Sequence, residues 1–430
     1  MKRVIAAAGL SVLVLAAAAC SSSSSGSGST GTSTPTSAAS AAAASSAPAS
    51  ALGTATASAS AKPLSIFFFD EEGASAAASS PESYQAAEAA VDYVNDNLGG
   101  VKGRPLKLIH CESLGTPDSV INCANQAVDD KPDVVIKGVD VAGGSAVPIV
   151  TGAGLAYVTL NAGSPDEVDH NLAFSLTSGF AAQFAPVAAY AKTKGYKSLG
   201  VIYTNVQPLS TPLNGPFASL LAKDGISYVP EPVDITAADV TSQYNALVAK
   251  HVGAILVVTT LAQCTASLQA RSSLSDSTPL FMSSSCDVPS ALSAVSPSAT
   301  DGAIFAFQDT SAVPSDTDTK TYLQAMKTYE PSSNIGSFAP SGFESVIDFY
   351  RAMMTASDPA TLDAASVAAT LKSAKNVPLF MGGGETFNCG QTYFAGESSV
   401  CTGAAFLASY GSGTFSLVGS YDASQLLKGI

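Results

Sequence analysis

The stretch that decides the fold runs from Pro132 to Pro165: PDVVIKGVDVAGGSAVPIVTGAGLAYVTLNAGSP. A short apolar run, residues 134–136, is followed by a Gly-rich loop and by a segment whose apolar residues recur at helical spacing. The segment stops at Gly154, and a second apolar run, residues 156–160, leads into Asn161-Ala162-Gly163-Ser164. The order strand, loop, helix, strand, loop predicts a βαβ unit.

Both loops of this unit follow the carboxyl ends of parallel strands, which is the edge where ligands bind to open α/β sheets. The loops are rich in Gly, Ser and Asn, so backbone amides and short hydroxyls would face a ligand. The stretch contains no side chain equipped to break a covalent bond. We therefore expect a site that holds a small polar molecule by hydrogen bonds.

The composition narrows the classes of function. The chain has 430 residues, with 20 Lys and Arg against 34 Asp and Glu, and this formal charge of −14 disfavours nucleic-acid binding. Only three His are present, and the G-x-S-x-G, GxxxxGK[ST] and HExxH motifs are absent, as is a dinucleotide-binding GxGxxG that follows a strand. We expect no enzymatic activity, no cofactor and no metal site.

The first residues resemble a bacterial lipoprotein signal. Lys2 and Arg3 precede an apolar core at 4–19, and Cys20 stands at the cleavage point. The lipobox pattern prefers Leu three positions before the Cys, where this chain has Ala17. The resemblance implies a signal peptide over residues 1–19, lipidation of Cys20 and attachment to the extracytoplasmic face of the bacterial cell membrane. The alternative is an ordinary secretory signal.

The next segment, residues 21–61, consists almost entirely of Ser, Ala, Thr, Gly and Pro and carries no charge. Such a composition cannot bury enough apolar surface to offset the entropy of ordering. With the lipidated Cys20 it predicts a disordered tether over residues 20–61.

Strands alternate with helices from Lys62 onward, and the alternation restarts at Gly179. This alternation predicts two α/β lobes with parallel sheets. The first strand, residues 64–69, runs directly into Asp70 and Glu71. Because these two acids lie at a carboxyl end that would face the cleft, they are candidates for contacting a cationic group of a ligand.

Three motifs resemble a known family: NLGGVKGRPL at 97–106, CANQ at 123–126 and GYK at 195–197. With the opening stretch and in this order, they are similar to type I periplasmic binding proteins of the branched-chain amino acid (Leu/Ile/Val-binding) class, substrate-binding lipoproteins of ABC transporters. The resemblance implies two Rossmann-like lobes joined by three hinge crossings. It places the crossings near Leu176–Ser178, Gln308–Ser311 and Val377–Gly383, with an N-terminal lobe of residues 62–177 and 309–378 and a C-terminal lobe of residues 178–308 and 379–430.

The family binds the carboxylate of an amino acid through hydroxyl and backbone groups and its ammonium through an acid. Carried over residue by residue, the carboxylate side falls on Gly144, Ser145, Asn161, Ala162, Gly163 and Ser164. The acid corresponds only to Asp287, two positions late, and Asn205 to Pro208 stand where an aromatic residue is common. These departures argue against an ordinary α-amino acid as ligand.

Six cysteines beyond Cys20 allow fifteen disulfide pairings. An exported location permits disulfides. The predicted topology favours neighbours in sequence, because each couple lies on a strand end and the helix beside it, on neighbouring strand ends, or on a hairpin. We predict Cys111–Cys123, Cys264–Cys286 and Cys389–Cys401.

The sequence therefore predicts a lipid-anchored solute-binding protein that captures a small polar, amino-acid-like molecule between two lobes. It would deliver this ligand to the subunits of an ABC permease and act as a monomer. The alternative is a ligand-sensing lipoprotein of the same fold that acts in signalling, because a fold does not determine a function.

Overall fold

The computed structural model describes residues 52–73, 79–358 and 361–430. The predicted signal peptide, the lipidated Cys20 and the tether up to residue 51 lie outside these residues. The described residues belong to a single compact unit, so both sheets and the space between them can be described together.

The structure contains parallel strands that alternate with helices. The strands are β1 (Leu64–Glu71), β2 (Leu106–Ser113), β3 (Val134–Lys137), β4 (Tyr157–Thr159), β5 (Ala173–Ser175), β6 (Ser198–Thr204), β7 (Ser227–Val233), β8 (Ala254–Val258), β9 (Leu280–Ser283), β10 (Ile304–Phe307), β11 (Val377–Pro378), β12 (Thr386–Phe387), β13 (Ala404–Gly411) and β14 (Thr414–Asp422). The helices are α1 (Pro81–Asn97), α2 (Pro117–Asp130), α3 (Val147–Gly152), α4 (Pro165–Val168), α5 (Gly179–Ala182), α6 (Ala185–Lys194), α7 (Gln207–Pro212), α8 (Ala218–Lys223), α9 (Thr241–Ala249), α10 (Leu261–Leu274), α11 (Pro289–Leu292), α12 (Pro297–Thr300), α13 (Thr317–Tyr329), α14 (Ala339–Met353), α15 (Ala364–Ser373) and α16 (Ala423–Leu426).

The strands form two large sheets. The first has the order β2-β1-β3-β4-β5 and is parallel throughout. The second has the order β14-β13-β10-β9-β8-β6-β7, in which only β13 and β14 run antiparallel to their neighbours. Strand orders that reverse around a central strand place a crevice at the carboxyl ends of the strands. The two α/β lobes predicted from the sequence are confirmed.

Strand β1 shows why these sheets are continuously apolar. Ile66 and Phe68 pack into the core that contains α1 and α14, whereas Phe67 and Phe69 pack into the core that contains α2. All four side chains are fully buried. A parallel sheet that is covered on both faces has no solvent-exposed face. Its strands therefore lack the alternation of polar and apolar residues and are apolar at consecutive positions.

The chain passes three times between the two sheets. It leaves β5 for the second sheet, returns after β10 to helices that pack against α1 and the first sheet, and leaves again after α15 for β13. Thr177 Oγ1 donates to Gln308 Oε1 at 2.7 Å, which joins the first passage to the second. The Thr310 amide donates to the Met381 carbonyl at 2.6 Å, which joins the second to the third. The exact lobe bounds given above stay a proposal.

The N-terminal helix α1 packs closely against α14. The contact is close because Gly342 has no side chain, and a Cβ atom at this position would overlap with the carbonyl oxygen of Ser83. Tyr93 of α1 also stacks on Phe343 of α14, with ring centroids 6.1 Å apart. The second segment of the first lobe, which contains α14, is therefore held to the first segment by direct helix packing.

Several element bounds differ from the expectation. Strand β1 continues through Asp70 and Glu71, which were predicted to lie in a loop, and β2 continues to Ser113, so Cys111 lies inside a strand. Parallel pairing with β2 extends along the whole of β1 and keeps these polar residues extended. The helix expected from residue 180 is divided into α5 and α6 at Gln183.

The last residues of the predicted tether form hydrogen bonds with the first lobe. The Ala57 amide donates to the Asn95 carbonyl at 2.6 Å, and Asn97 Nδ2 donates to the Gly53 carbonyl at 2.6 Å. The small side chains allow the backbone to approach the end of α1, where Ala55 forms a bridge with Leu98. The prediction that the tether extends to residue 61 is wrong for residues 53–58, because backbone hydrogen bonds hold this segment.

The cysteines pair as predicted, in Cys111–Cys123, Cys264–Cys286 and Cys389–Cys401. The second disulfide connects the segments that follow the neighbouring strands β8 and β9. Among the described residues, no helix combines the length and the apolar character that crossing a membrane requires.

Candidate functional site

A cavity of about 440 Å³ lies between the two sheets. Segments that follow β3 and β4 form one wall, and segments that follow β6, β8 and β9 form the other. Ser79 and Glu82 at the start of α1 and Phe338 before α14 contribute from the first lobe. The cavity therefore lies at the carboxyl ends of strands from both sheets, where the backbone geometry of an α/β fold leaves room for a ligand.

The lining of the cavity is mainly apolar. Of the 23 described residues that line it, eleven are apolar, nine are polar but uncharged, and three are charged. The apolar residues are Val139, Val141, Phe180, Val206, Pro208, Leu209, Ile235, Val258, Leu261, Ala262 and Phe338. The uncharged polar residues are Ser79, Asn161, Thr204, Thr259, Thr260, Ser283, Ser284, Ser285 and Ser337.

The three charged side chains of the lining are engaged with the protein itself. Lys137 Nζ contacts Glu167 Oε1 at 2.5 Å and donates to the Asn161 carbonyl at 2.9 Å. Asp140 accepts hydrogen bonds from the Ser113 hydroxyl and from the Ala142 amide. Burial raises the pKa of Glu82, and hydrogen bonds with Ser337 and the Phe338 backbone offset part of that rise. Among the described lining residues, the only cation is thus already paired.

The Lys137–Glu167 pair also holds the loop at the end of β4. Glu167 Oε2 accepts from the amides of Gly163 and Ser164 at 3.1 and 3.0 Å, and Oε1 accepts from the Tyr157 hydroxyl at 2.9 Å. Burial alone would raise the pKa of Glu167, but the Lys137 charge and these donors hold it below its ordinary value. A buried carboxylate with this many donors is fully satisfied.

The sequence of the chain matches a known family. The sequence model described as periplasmic binding protein matches residues 67–395, which is most of the chain. The chain belongs to the periplasmic binding protein family. No curated protein sequence matches it significantly.

Solved periplasmic binding proteins share the fold of this chain at low sequence identity. A leucine-binding protein from Thermotoga maritima is 16% identical, with a TM-score of 0.65 over 83% of this chain and 98% of that chain. A fatty acid ABC transporter substrate-binding protein from Thermomonospora curvata is 15% identical, with a TM-score of 0.70 over 88% and 97%. A substrate-binding periplasmic protein from Ralstonia solanacearum is 17% identical, with a TM-score of 0.68 over 82% and 99%.

In this periplasmic binding protein, the loop predicted to bind a ligand carboxylate already holds a carboxylate of the chain. The amides of Gly163 and Ser164 are occupied by Glu167, and the Ser164 hydroxyl caps α4 by accepting from the Glu167 amide at 3.4 Å. Ala162 is buried. Only Asn161 of this loop lines the cavity, and its Nδ2 donates to Ser341 Oγ at 3.0 Å.

Gly144 and Ser145 lie behind that loop and do not line the cavity. A Cβ atom at Gly144 would overlap with the Ser164 side chain, so the two predicted loops pack directly on each other. The Ser145 amide donates to the Ala142 carbonyl at 2.9 Å within a short 3₁₀ turn. Gly144, Ser145 and the loop at 161–164 therefore lie close together in the structure, where they support the wall of the cavity. Their role in ligand binding stays a prediction.

Asp70 and Glu71 are fully buried and also do not line the cavity. Asp70 Oδ1 lies 3.1 Å from His110 Nε2. Burial raises the pKa of Asp70 to about 7, and the hydrogen bond with His110 offsets part of this rise. Glu71 points to the other face of the sheet, where it accepts from the Val141 amide at 3.5 Å.

Asp287 lies beside a second, much smaller cavity of about 20 Å³ at the passages between the lobes. Asn161, Asp309 and Glu344 also line this space, which is large enough for about one water molecule. Burial and then the nearby Asp309 raise the pKa of Asp287 to about 7. The structure thus separates Asp287 from most of the predicted ligand-binding residues.

The sequence interpretation missed the apolar residues of the second lobe that line the cavity, such as Leu209, Val258 and Leu261. A signal for them was present, because β6 and β8 are apolar runs in the sequence and ligands bind at the carboxyl ends of such strands. Asn205 to Pro208 were noted only for the aromatic residue that they lack, although Pro208 itself lines the cavity.

Proposed function

We propose that this chain is the solute-binding component of an ABC transporter, which captures a small molecule between its lobes and delivers it to the permease. The observation that carries the proposal is the cavity of about 440 Å³ between the carboxyl ends of two sheets. Family membership and the neighbours named as substrate-binding proteins support the same role. We propose no catalytic step, because the cavity residues serve binding.

We propose further that the ligand has a largely apolar body, which differs from the polar ligand expected from the sequence. Apolar side chains from both lobes line the cavity, and covering such surface contributes about 25 cal/mol per Å². Two structural neighbours are named as leucine-binding and fatty-acid-binding, and both of those molecules carry an apolar chain.

A polar end of the ligand would be held at the start of α10. Thr260, Leu261 and Ala262 line the cavity there, and the Thr260 side chain does not cap the helix. The first N–H groups of a helix lack partners within the helix and favour an acceptor oxygen. With Lys137 paired to Glu167, these amides and the nearby serine hydroxyls after β9 would donate to the polar end of the ligand.

We propose that Cys20 is lipidated and anchors the protein to the extracytoplasmic face of the cell membrane. Basic residues before an apolar core and a Cys at the cleavage point support this assignment. Because hydrogen bonds hold residues 53–58 against the first lobe, the segment that links Cys20 to the folded domain would end at about Gly53.

Native mass spectrometry of the freshly purified protein tests the proposed function. We expect a mass excess that is released on denaturation, and extraction should identify a molecule with an apolar chain and a single polar end. A reproducibly ligand-free protein that binds no member of a panel of acyl compounds and amino acids would contradict the proposal. A strongly charged, fully polar ligand would contradict the assignment of the ligand class.

A further inference from the structure

A cluster of one histidine and two acids lies outside the cavity, at the ends of β1 and β2. Asp70 belongs to β1, Glu72 follows it, and His110 belongs to β2, where it pairs with Phe68. Residues two apart on a strand share a face, so Asp70 and Glu72 both extend toward the imidazole. The Asp70 side chain is fully buried, whereas Glu72 and His110 are 16% and 22% exposed.

The three side chains converge on a single point. His110 Nε2 lies 3.1 Å from Asp70 Oδ1 and 3.2 Å from Glu72 Oε1, and one donor atom from each residue lies within 4.8 Å of the others. Where Nε2 carries a proton, the hydrogen-bond geometry directs it to Asp70 Oδ1. Asp70 Oδ2 and Glu72 Oε1 are both buried, and within the part of the chain that the structure describes neither accepts a well-aligned hydrogen bond. Buried carboxylate oxygens without a donor are costly, so a positive charge between the two acids, either a protonated imidazole or a bound cation, would stabilise the cluster.

We propose that Asp70, Glu72 and His110 bind a divalent transition-metal ion such as Zn²⁺. With metal–ligand bonds of about 2.0–2.1 Å, two ligand atoms of a tetrahedral site are about 3.3 Å apart. The two measured distances from Nε2 are close to that value. One ion between the three atoms would satisfy both carboxylates together, which a single N–H proton cannot do.

The donor set selects the class of metal. A neutral imidazole nitrogen is a ligand for Zn²⁺, Ni²⁺, Co²⁺ and similar ions, whereas Ca²⁺ and Mg²⁺ prefer oxygen ligands only. The partial exposure of Glu72 and His110 leaves space for water to complete the coordination, as in zinc sites with three protein ligands.

The imidazole is held in position by its surroundings. The Tyr84 ring of α1 stacks on the His110 ring, with centroids 3.6 Å apart and an angle of 8° between the planes. The Tyr84 hydroxyl donates to Glu88 at 2.8 Å, which fixes the tyrosine in turn. Such support orients a ligand before the metal binds. A bound ion would therefore join β1, β2 and, through this stack, the start of α1.

Isothermal titration of tag-free, chelator-treated protein with ZnCl₂ tests the site, with MgCl₂ as a second probe. We expect one Zn²⁺ per chain, no measurable Mg²⁺ binding, and a thermal unfolding temperature that rises with ZnCl₂ concentration. Glu72→Gln and His110→Gln should each weaken Zn²⁺ binding at least 10-fold. His251→Gln is the matched control, because His251 is exposed at the end of α9 and should leave Zn²⁺ binding unchanged.

Absence of Zn²⁺ binding in the wild-type protein would overturn the proposal and leave a protonated His110 between two carboxylates. Unchanged Zn²⁺ affinity in both Glu72→Gln and His110→Gln would also overturn it, since the ion would then bind elsewhere. Glu72 and His110 are partly exposed, so these two variants are expected to fold even where Asp70→Asn does not. A circular dichroism spectrum of each variant verifies this.

Discussion

Glu167 is the residue that most changes the interpretation of the cleft. The sequence predicts that the loop at 161–164 receives the carboxylate of a ligand, and the structure shows a carboxylate there that belongs to the chain. A signal for this arrangement was available, since Ser164 and Glu167 form the S-x-x-E capping box that binds its own backbone amides. What the sequence alone could not show is that Lys137, thirty residues earlier, is the cation that balances Glu167.

Replacing Glu167 by Gln should destabilise the protein strongly. Glu167 and Lys137 are both almost completely buried, and removing one partner leaves an uncompensated buried charge, which costs about 3–5 kcal/mol. Urea unfolding at pH 7 measures the change. The pair Glu231–Lys250 gives the control, because Lys250 is 52% exposed and Glu231→Gln should cost less than about 1 kcal/mol.

The sign of the pH effect at Glu167 follows from its lowered pKa. The stabilisation that Glu167 contributes is fully present above the pKa that its carboxyl group has in the unfolded chain. It is lost as the pH falls through the lower pKa that the same group has in the folded chain.

Equal losses of stability in Glu167→Gln and Glu231→Gln would show that the buried pair does not hold the loop.

At the scale of elements, long and strongly patterned segments were predictable and short ones were not. Strands β8 and β9 are uniformly buried and were recognised as apolar runs. Strand β5 has only three residues, too few to show an apolar period. Helix α13 does carry the signal, because Tyr322, Ala325 and Met326 recur at helical spacing, but the sequence interpretation overlooked it. The predicted first strand ends at residue 69, before Asp70 and Glu71, whereas pairing with β2 extends the strand through both acids.

Helix α14 carries two buried acids that predict a pH dependence of stability. Glu344 and Asp348 are fully buried, and burial raises the pKa of both well above the ordinary value. Above about pH 4 the unfolded chain releases these protons while the folded chain retains them. Stability should therefore fall as the pH rises from about 4 through the folded pKa values.

Urea unfolding at pH 5 and pH 8 measures this dependence. We expect a lower free energy of unfolding at pH 8, and a smaller difference between the two values in Glu344→Gln. Asp129→Asn removes an exposed carboxyl at the end of α2 and should leave the difference unchanged. A pH difference that is identical in wild type and Glu344→Gln would contradict the assignment to α14.

At the scale of the whole molecule, the sequence predicted two lobes and the edge of the sheets where a ligand binds, but not the chemistry of the space between them. That chemistry depends on which loops of the second lobe face those of the first, and this follows from the packing of the lobes. The segments after β6, β8 and β9 contribute apolar residues from distant parts of the chain, such as Leu209, Val258 and Leu261. The cavity is apolar because the packing of the two sheets brings these distant residues together.

The central claim is that this cavity binds a ligand with an apolar body, and titration with a fluorescent fatty acid, cis-parinaric acid, tests it most directly. The chain contains no Trp, so the protein contributes little background emission. We expect one bound probe per chain in the wild-type protein. Leu261→Asn should weaken binding about 5-fold, because Leu261 lines the cavity and is 39% exposed, which leaves about 1 kcal/mol of burial for a ligand to complete.

Leu274→Asn is the matched control for this titration, because Leu274 lies at the other end of the same helix and is 43% exposed. Its affinity for the probe should equal that of the wild-type protein. Equal affinities in all three proteins, or no binding of the probe to the wild-type protein, would contradict the account.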